Sequence, residues 1–276
     1  MSFACTNSGE ALLHVAKVAG NSTVVSAQAR NPFRLLTPRA RGETVWAYTS
    51  SFGGGMVAGD CTRLDVSVDA GARCFLSTQA STKIYRNPEN LPCSHELLAK
   101  VGDDALLVLV PDPVQCFAES SYEQRQRFTL APTANLLLVD WMSAGRAARG
   151  ERWSFRRYVS RNEVERAGRK LLVDALLLDS SDGALDSRFR GGRFNGLATV
   201  ALFGPKLAGH AQAILDWCSA QPISPKASLV FAASPLQEGA LLRFAGTSVE
   251  EVGRAIHERL GFVRELLSDN PWERKW

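Results

Sequence analysis

Short apolar runs, each closed by turn residues, recur along most of this chain, and that rhythm suits strands far better than helices. Leu64, Val66 and Val68 alternate with Asp65, Ser67 and Asp69, a period of two that lines one face of a half-buried strand. Asp69-Ala70-Gly71 supplies the turn that follows. Cys74 to Thr78, Leu97 to Lys100 and Ala105 to Val110 come next, the last stopped by Pro111 and Pro113. Phe128 to Leu130, Leu136 to Val139, Leu171 to Leu178, Leu197 to Phe203, Leu229 to Ala232 and Ala240 to Phe244 have the same length and punctuation. The fold class expected is mainly β.

Two segments break the rhythm. After Gly204-Pro205, the residues Leu207, Ala211, Ile214, Leu215 and Cys218 recur at helical spacing. At Ser248 a second helix opens, with Glu251 completing a capping box. Val249, Val252, Ile256, Leu260, Val263 and Leu267 then follow at intervals of three and four as far as Asn270-Pro271. No Pro/Gly/Ser-rich linker divides the 276 residues and no fixed-period repeat is visible. The expectation is therefore a single domain over 1–276, β-dominated, with two α-helices in its C-terminal third.

Composition excludes several classes. With 45% hydrophobic and 22% charged residues, the chain is neither disordered, collagen-like nor a coiled coil. Its longest purely apolar run, Ala105 to Val110, is far short of the roughly 18 residues of a spanning helix. The first twenty residues lack the basic start and apolar stretch of a signal peptide, so cytosol is the expected compartment. Cys5, Cys61, Cys74, Cys93, Cys116 and Cys218 include no C-x-x-C pair and are expected to be reduced and mostly in the core. His14, His95, His210 and His257 are far apart, so no local histidine cluster makes a tight metal site.

The motifs that suggest enzymes fail on context. Read from Gly54, the stretch Gly53 to Cys61 is G-x-x-x-x-G, but Asp60 and Cys61 stand where a phosphate loop needs Lys and Ser/Thr, and a carboxylate repels phosphate. Read from Gly53 it is G-x-G-x-x-A, yet a strand follows where a dinucleotide site requires a helix. A tight turn needing positive φ is the plainer account. G-x-S-x-G is absent, and His95-Glu96 lacks the second histidine of a zinc helix.

From Arg146 to Lys170 there are nine basic residues: Arg146, Arg149, Arg152, Arg156, Arg157, Arg161, Arg166, Arg169 and Lys170. Only Glu151, Glu163 and Glu165 oppose them, a local charge of +6 against +4 for the whole chain. Trp153, Phe155, Tyr158 and Val159 interleave with that charge. Such a segment suits an RNA-contacting strand, an interface for an acidic partner, or a solvated face with internal ion pairs.

One combination of residues is specific. Gly53 and Gly54, Gly59 and Asp60, the strand Leu64 to Val68, Gly71-Ala72, Thr78-Gln79-Ala80, Thr82-Lys83 and Tyr85-Arg86 closely resemble the signature of the urease accessory protein family UreD, also called UreH. Pro111 to Ala118 with Tyr122, Gln124 and Gln126, then Gly145-Arg146 with Gly150-Glu151, Arg161-Asn162-Glu163 with Gly168, and Asn195 to Thr199 with Gly204-Pro205 extend the likeness over roughly residues 15–265. Ala58, where many members carry glycine, and Cys61 after Asp60 depart from the pattern.

The resemblance implies a β-helix-like stack of strands with a helical C-terminal part. It implies a non-catalytic urease maturation factor, a cytoplasmic chaperone with no tightly bound cofactor and with nickel in transit. The implied partners are UreF, the GTPase UreG and apo-urease, with no membrane and no nucleic acid. Gly53, Gly54, Gly59, Thr78, Gln79, Lys83, Tyr85, Arg86, Gly145 and Arg146 are read as motif or interface residues. A metal carrier must bind weakly enough to release, which favours scattered oxygens over clustered thiolates. Asp60, and with it Glu163, is expected to face such a path; the alternative for Asp60 is to accept backbone N–H groups in its own turn. The competing readings are a nucleic-acid-binding module using 146–170 and a nucleotide-dependent enzyme using the glycine loop.

Overall fold

The structure is a computed structural model that describes residues 5, 7–39, 42–222, 224 and 226–273. The chain runs through β1 (Asn7–Val18), β2 (Asn21–Ala29), β3 (Phe33–Leu36), β4 (Val45–Ser51), β5 (Asp60–Val68), β6 (Arg73–Thr78), β7 (Thr82–Ile84), β8 (Ser94–Val101) and β9 (Leu106–Leu109). It continues through β10 (Val114–Cys116), β11 (Ser121–Leu130), β12 (Asn135–Ser143), β13 (Arg157–Arg166), β14 (Arg169–Asp179) and β15 (Gly196–Phe203). Helix α1 (Ala208–Ser219), β16 (Leu229–Leu236), β17 (Gly239–Gly246), α2 (Val249–Arg259) and α3 (Val263–Leu267) complete it.

The chain passes back and forth between two sheets. One has seven strands in the order β14-β13-β11-β8-β5-β1-β2; the other has ten, with β16-β17-β15-β12-β9-β6-β4-β3 along its path, β10 beside β12 and β7 beside β10. Strands β5, β8, β11 and β13 pair in parallel, as do β4, β6, β9 and β12, so the chain coils as a β-helix-like stack. Thr62, His95, Gln124 and Ser160 hold one register across four strands. Their spacings of 33, 29 and 36 residues vary, which is why no fixed repeat shows in the sequence.

Layering explains the two kinds of apolar pattern. The seven-stranded sheet buries one face, so β5 alternates. The ten-stranded sheet is covered twice, by the other sheet and by α1 and α2, so β9 and most of β12 read as unbroken apolar runs buried throughout. Between the sheets lie Leu13, Leu64, Leu76, Leu107, Phe128 and Phe203; beneath the helices Trp46, Phe75, Val139 and Val200 cluster with Ile214 of α1 and Ile256 of α2.

Two helical expectations need correction. The Glu251 N–H donates to the Ser248 hydroxyl at 3.3 Å, but the Glu251 carboxylate accepts from Ser228 at 2.6 Å rather than closing a capping box. The last helix is also not continuous, because Leu260-Gly261-Phe262 interrupts it. Glycine is a weak helix former, and the bend lets Leu260, Val263 and Leu267 all bury. The cysteines split as well. Cys74, Cys93 and Cys116 are free and buried, whereas Cys5 is disulfide-bonded to Cys61 with Cα atoms 5.8 Å apart. Parallel pairing of β1 with β5 from Asn7 and Asp60 onward brings the two together, which sequence spacing does not disclose.

Candidate functional site

A polar seam crosses the space between the sheets. Thr62, His95, Gln124 and Ser160 form one row across the inner face of the seven-stranded sheet, and Gln126 and Asn162 stand in the next. The row beyond is again apolar: Val66, Ala99, Phe128 and Val164. On the other side sits a second apolar cluster that includes Met56, Ile84, Tyr122, Trp153, Phe155 and Tyr158. Buried polar groups in such a place must satisfy one another.

Asp140, on the facing sheet, is the centre of that arrangement. Its carboxylate accepts from the Gln124 amide at 3.0 Å, the Ser160 hydroxyl at 2.5 Å and the Asn162 amide at 2.8 Å. The Gln126 amide donates to Asn162 at 2.9 Å. Burial pushes the Asp140 carboxyl upward, while the Ser160, Asn162 and Gln124 bonds hold it down; burial is the larger effect. A cavity of about 110 Å³ lies along the seam, lined by Thr62, His95, Gln124, Gln126 and Asp140 among others. A groove of about 450 Å³ opens beyond it, with Asp140 and Trp141 lining both. There Arg243 reaches between the sheets to Asp174 at 2.5 Å. Among the described residues no group of three His, Cys, Asp or Glu is placed to hold a metal ion.

The motif residues gather at loops that stack over one another. Gly53, Tyr85, Phe117 and Arg146 form a column drawn from separate turns of the coil. The Tyr85 hydroxyl donates to the Gly53 carbonyl at 3.3 Å, Tyr85 packs edge-on to Phe117, and the Arg146 guanidinium lies 4.0 Å from the Phe117 ring centroid. Arg146 also binds both oxygens of Glu151, and Arg86 binds both of Glu119. Gly145 has φ 107°, and a Cβ there would lie 2.6 Å from the Glu151 carbonyl and 2.9 Å from that of Cys116. Gly53, Gly54 and Gly59 also have positive φ, as the tight-turn account requires. The Asp112 N–H donates to the Thr78 hydroxyl at 2.7 Å, and the Gln79 N–H donates to Thr49 at 2.8 Å. Lys83 is exposed, and its carbonyl accepts from Met56.

The two path candidates fall elsewhere. Asp60 is buried at the start of β5 and accepts from the Val57 N–H at 2.9 Å, the turn-closing role; it does not line the cavity. Glu163 lies on the outer face of β13, where it pairs with Lys170, Arg161 and Arg127. The Lys170 and then the Arg161 bonds hold its carboxyl down to about 2. Strand alternation turns Asn162 inward and therefore Glu163 outward. Much of the basic segment is internally paired in the same way: Arg156 with Glu119, Arg157 with Glu123 and Asp179, Arg166 and Arg169 with Glu238. Arg152 is held by Asn195 and Gly192.

Sequence reading missed Asp140, Ser160, Thr62 and His95 as a set. The available signal was alternation in β11, where Gln124 and Gln126 fall in phase with Tyr122, Phe128 and Leu130 on the inner face. Nothing in the sequence pairs that face with Asp140.

Comparison with known proteins agrees with the signature. A family model described as UreD urease accessory protein matches residues 7–276. The chain is 47% identical over 269 residues to a urease accessory protein UreD of Sorangium cellulosum, covering 97% of this chain and 84% of that one. It is 43% identical over 267 residues to a namesake from an Anaeromyxobacter species, covering 96% and 89%. Against urease accessory protein D of Arabidopsis thaliana the identity is 32% over 289 residues, covering 94% and 97%. With the glycine loops, the stacked motif column and the coiled two-sheet architecture in place, the chain belongs to the UreD family of urease accessory proteins.

Proposed function

We propose that this chain is a non-catalytic urease maturation factor that joins UreF and the GTPase UreG to apo-urease and offers nickel a passage toward the urease active site. The observation that carries this reading is the buried polar seam from Thr62 and His95 through Gln124 to Asp140, continuous with the groove at Asp174 and Arg243. A purely structural core would fill that space with apolar side chains at less cost.

The chemistry of the seam suits a cargo ion. Amide and hydroxyl oxygens with one buried carboxylate can replace part of the water shell of a divalent cation without trapping it. Clustered thiolates would bind nickel too tightly to release it, and the buried Cys74 and Cys93 thiols are pushed up to about 12 by burial. Membership of a urease accessory family supports partners drawn from urease maturation, and the complex is proposed to work in the cytoplasm. Among the described residues no helix is long and apolar enough to cross a membrane. The nucleic-acid reading loses its support, because the basic segment spends much of its charge on internal carboxylates.

The test is reconstitution of apo-urease with UreF, UreG and this chain, wild type or Asp140→Asn, with nickel content of urease measured. Intact assembly with reduced nickel is the expected outcome. Full nickel loading by the variant would refute the passage, and loading that is indifferent to the presence of the chain would refute the role itself.

A further inference from the structure

His95 stands where two hollows meet. Its side chain lines the interior cavity together with Thr62, Gln124 and Asp140. It also lines an outer pocket of about 540 Å³ whose rim includes Glu96, Glu123, Arg125 and Arg157. Tyr122 also lines both hollows, so these two residues stand between the outer pocket and the seam.

The hydrogen bonds of His95 engage one ring nitrogen and leave the other without a partner among the described residues. Its Nδ1 is 2.8 Å from the Thr62 hydroxyl, and that hydroxyl is also turned toward the Ser94 carbonyl at 3.4 Å. A hydroxyl has one proton to give; donated to Ser94, it leaves Thr62 to accept from Nδ1–H. The lone pair then resides on Nε2, which makes no hydrogen bond to the described residues. Phe33 packs against the ring at 5.6 Å between centroids. A neutral imidazole with one nitrogen anchored by a neighbour and the other open is the arrangement of a metal ligand with its supporting shell.

We propose that His95 is the gate ligand of the passage: through Nε2 it is the nitrogen donor that admits a borderline divalent cation from the outer pocket and passes it to the oxygens of Gln124 and Asp140. This inference rests on the passage proposed above and adds its selectivity. Nickel gains from exchanging a water for an imidazole, whereas magnesium and calcium prefer oxygen. Among the described residues no group of three His, Cys, Asp or Glu surrounds it to complete a chelate, and one imidazole binds briefly enough to let the ion go on. Thr62 is a positioning residue that keeps the proton on Nδ1.

Two measurements test it. In the first, the full wild-type chain is treated with diethyl pyrocarbonate, which acylates open imidazole nitrogens, and modification of the four histidines is mapped by mass spectrometry. Nickel is expected to protect His95 and magnesium is not; equal labelling with and without nickel overturns the proposal. In the second, urease is reconstituted at limiting nickel with magnesium in excess. His95→Gln and Thr62→Val are expected to need about 10-fold more nickel for the same urease loading, the size of effect seen when a ligand's shell is removed. Thr62→Ser, which keeps the hydroxyl, is expected to match wild type. A His95→Gln chain that assembles normally and loads urease at the wild-type nickel concentration overturns the gate ligand and leaves the passage standing. A wild-type chain that gives urease no nickel overturns the passage, and the gate with it.

Discussion

The Asn162 amide on one sheet donates to the Asp140 carboxylate on the other at 2.8 Å, and with Gln124 and Ser160 it ties the two sheets together through polar atoms inside an apolar sandwich. Removing the acceptor strands the Asn162 amide and the Ser160 hydroxyl and leaves the Gln124 amide only a 3.4 Å bond to Ser160. Asp140→Ala is therefore expected to lower stability by about 1–3 kcal/mol or more, the cost of stranding buried polar groups. Asp140→Asn, which keeps one acceptor, should lose less. Urea denaturation midpoints of the two variants check this, and an Asp140→Ala protein as stable as wild type would contradict the network.

Gly145→Ala should disturb the motif column from a single atom. Its φ of 107° is strained for any residue with a Cβ, and the added methyl meets two backbone carbonyls that cannot step aside. A loss of more than about 1 kcal/mol is expected. Gly54→Ala, with positive φ but open space around it, should cost less. Thermal unfolding of the pair separates conformational strain from collision.

Acid should weaken this fold through two groups in two windows. The folded chain keeps the His95 imidazole at about 4 by burial, so between the ordinary histidine value and that one the unfolded chain binds the extra proton and stability falls as pH falls. The Glu163 carboxyl, held to about 2 by Lys170 and Arg161, contributes stability above the ordinary glutamate value that is lost as pH drops toward 2. Unfolding midpoints measured from pH 7 to pH 3 should flatten for His95→Gln in the upper window and for Glu163→Gln in the lower.

The Cys5–Cys61 disulfide closes a loop of 56 residues in sequence. In the chain-entropy account such a closure is worth up to about 4 kcal/mol in the oxidised protein. Melting temperatures with and without reductant should differ for wild type and coincide for Cys5→Ser; equal values for oxidised and reduced wild type would show that the tether contributes nothing.

Local pattern carried much of this protein. Alternation in Leu64, Val66 and Val68, continuous runs at Ala105 to Val110 and Leu136 to Val139, and the turn glycines determined the strands, because side-chain period and positive φ are properties of neighbouring residues. Ser248 marked its helix for the same reason, and the glycine and aromatic-Arg elements marked the family. Strands β1 to β3 were not anticipated; in β2 most residues face solvent, which blurs its alternation. Tertiary structure alone decided that His95 lies beside Thr62, that Asp140 receives Asn162, that Glu163 turns outward and that Cys5 meets Cys61. Each of those relations depends on which turns of the coil stack and in what register. Strands separated by about thirty residues acquire a common register only when the whole sheet has formed.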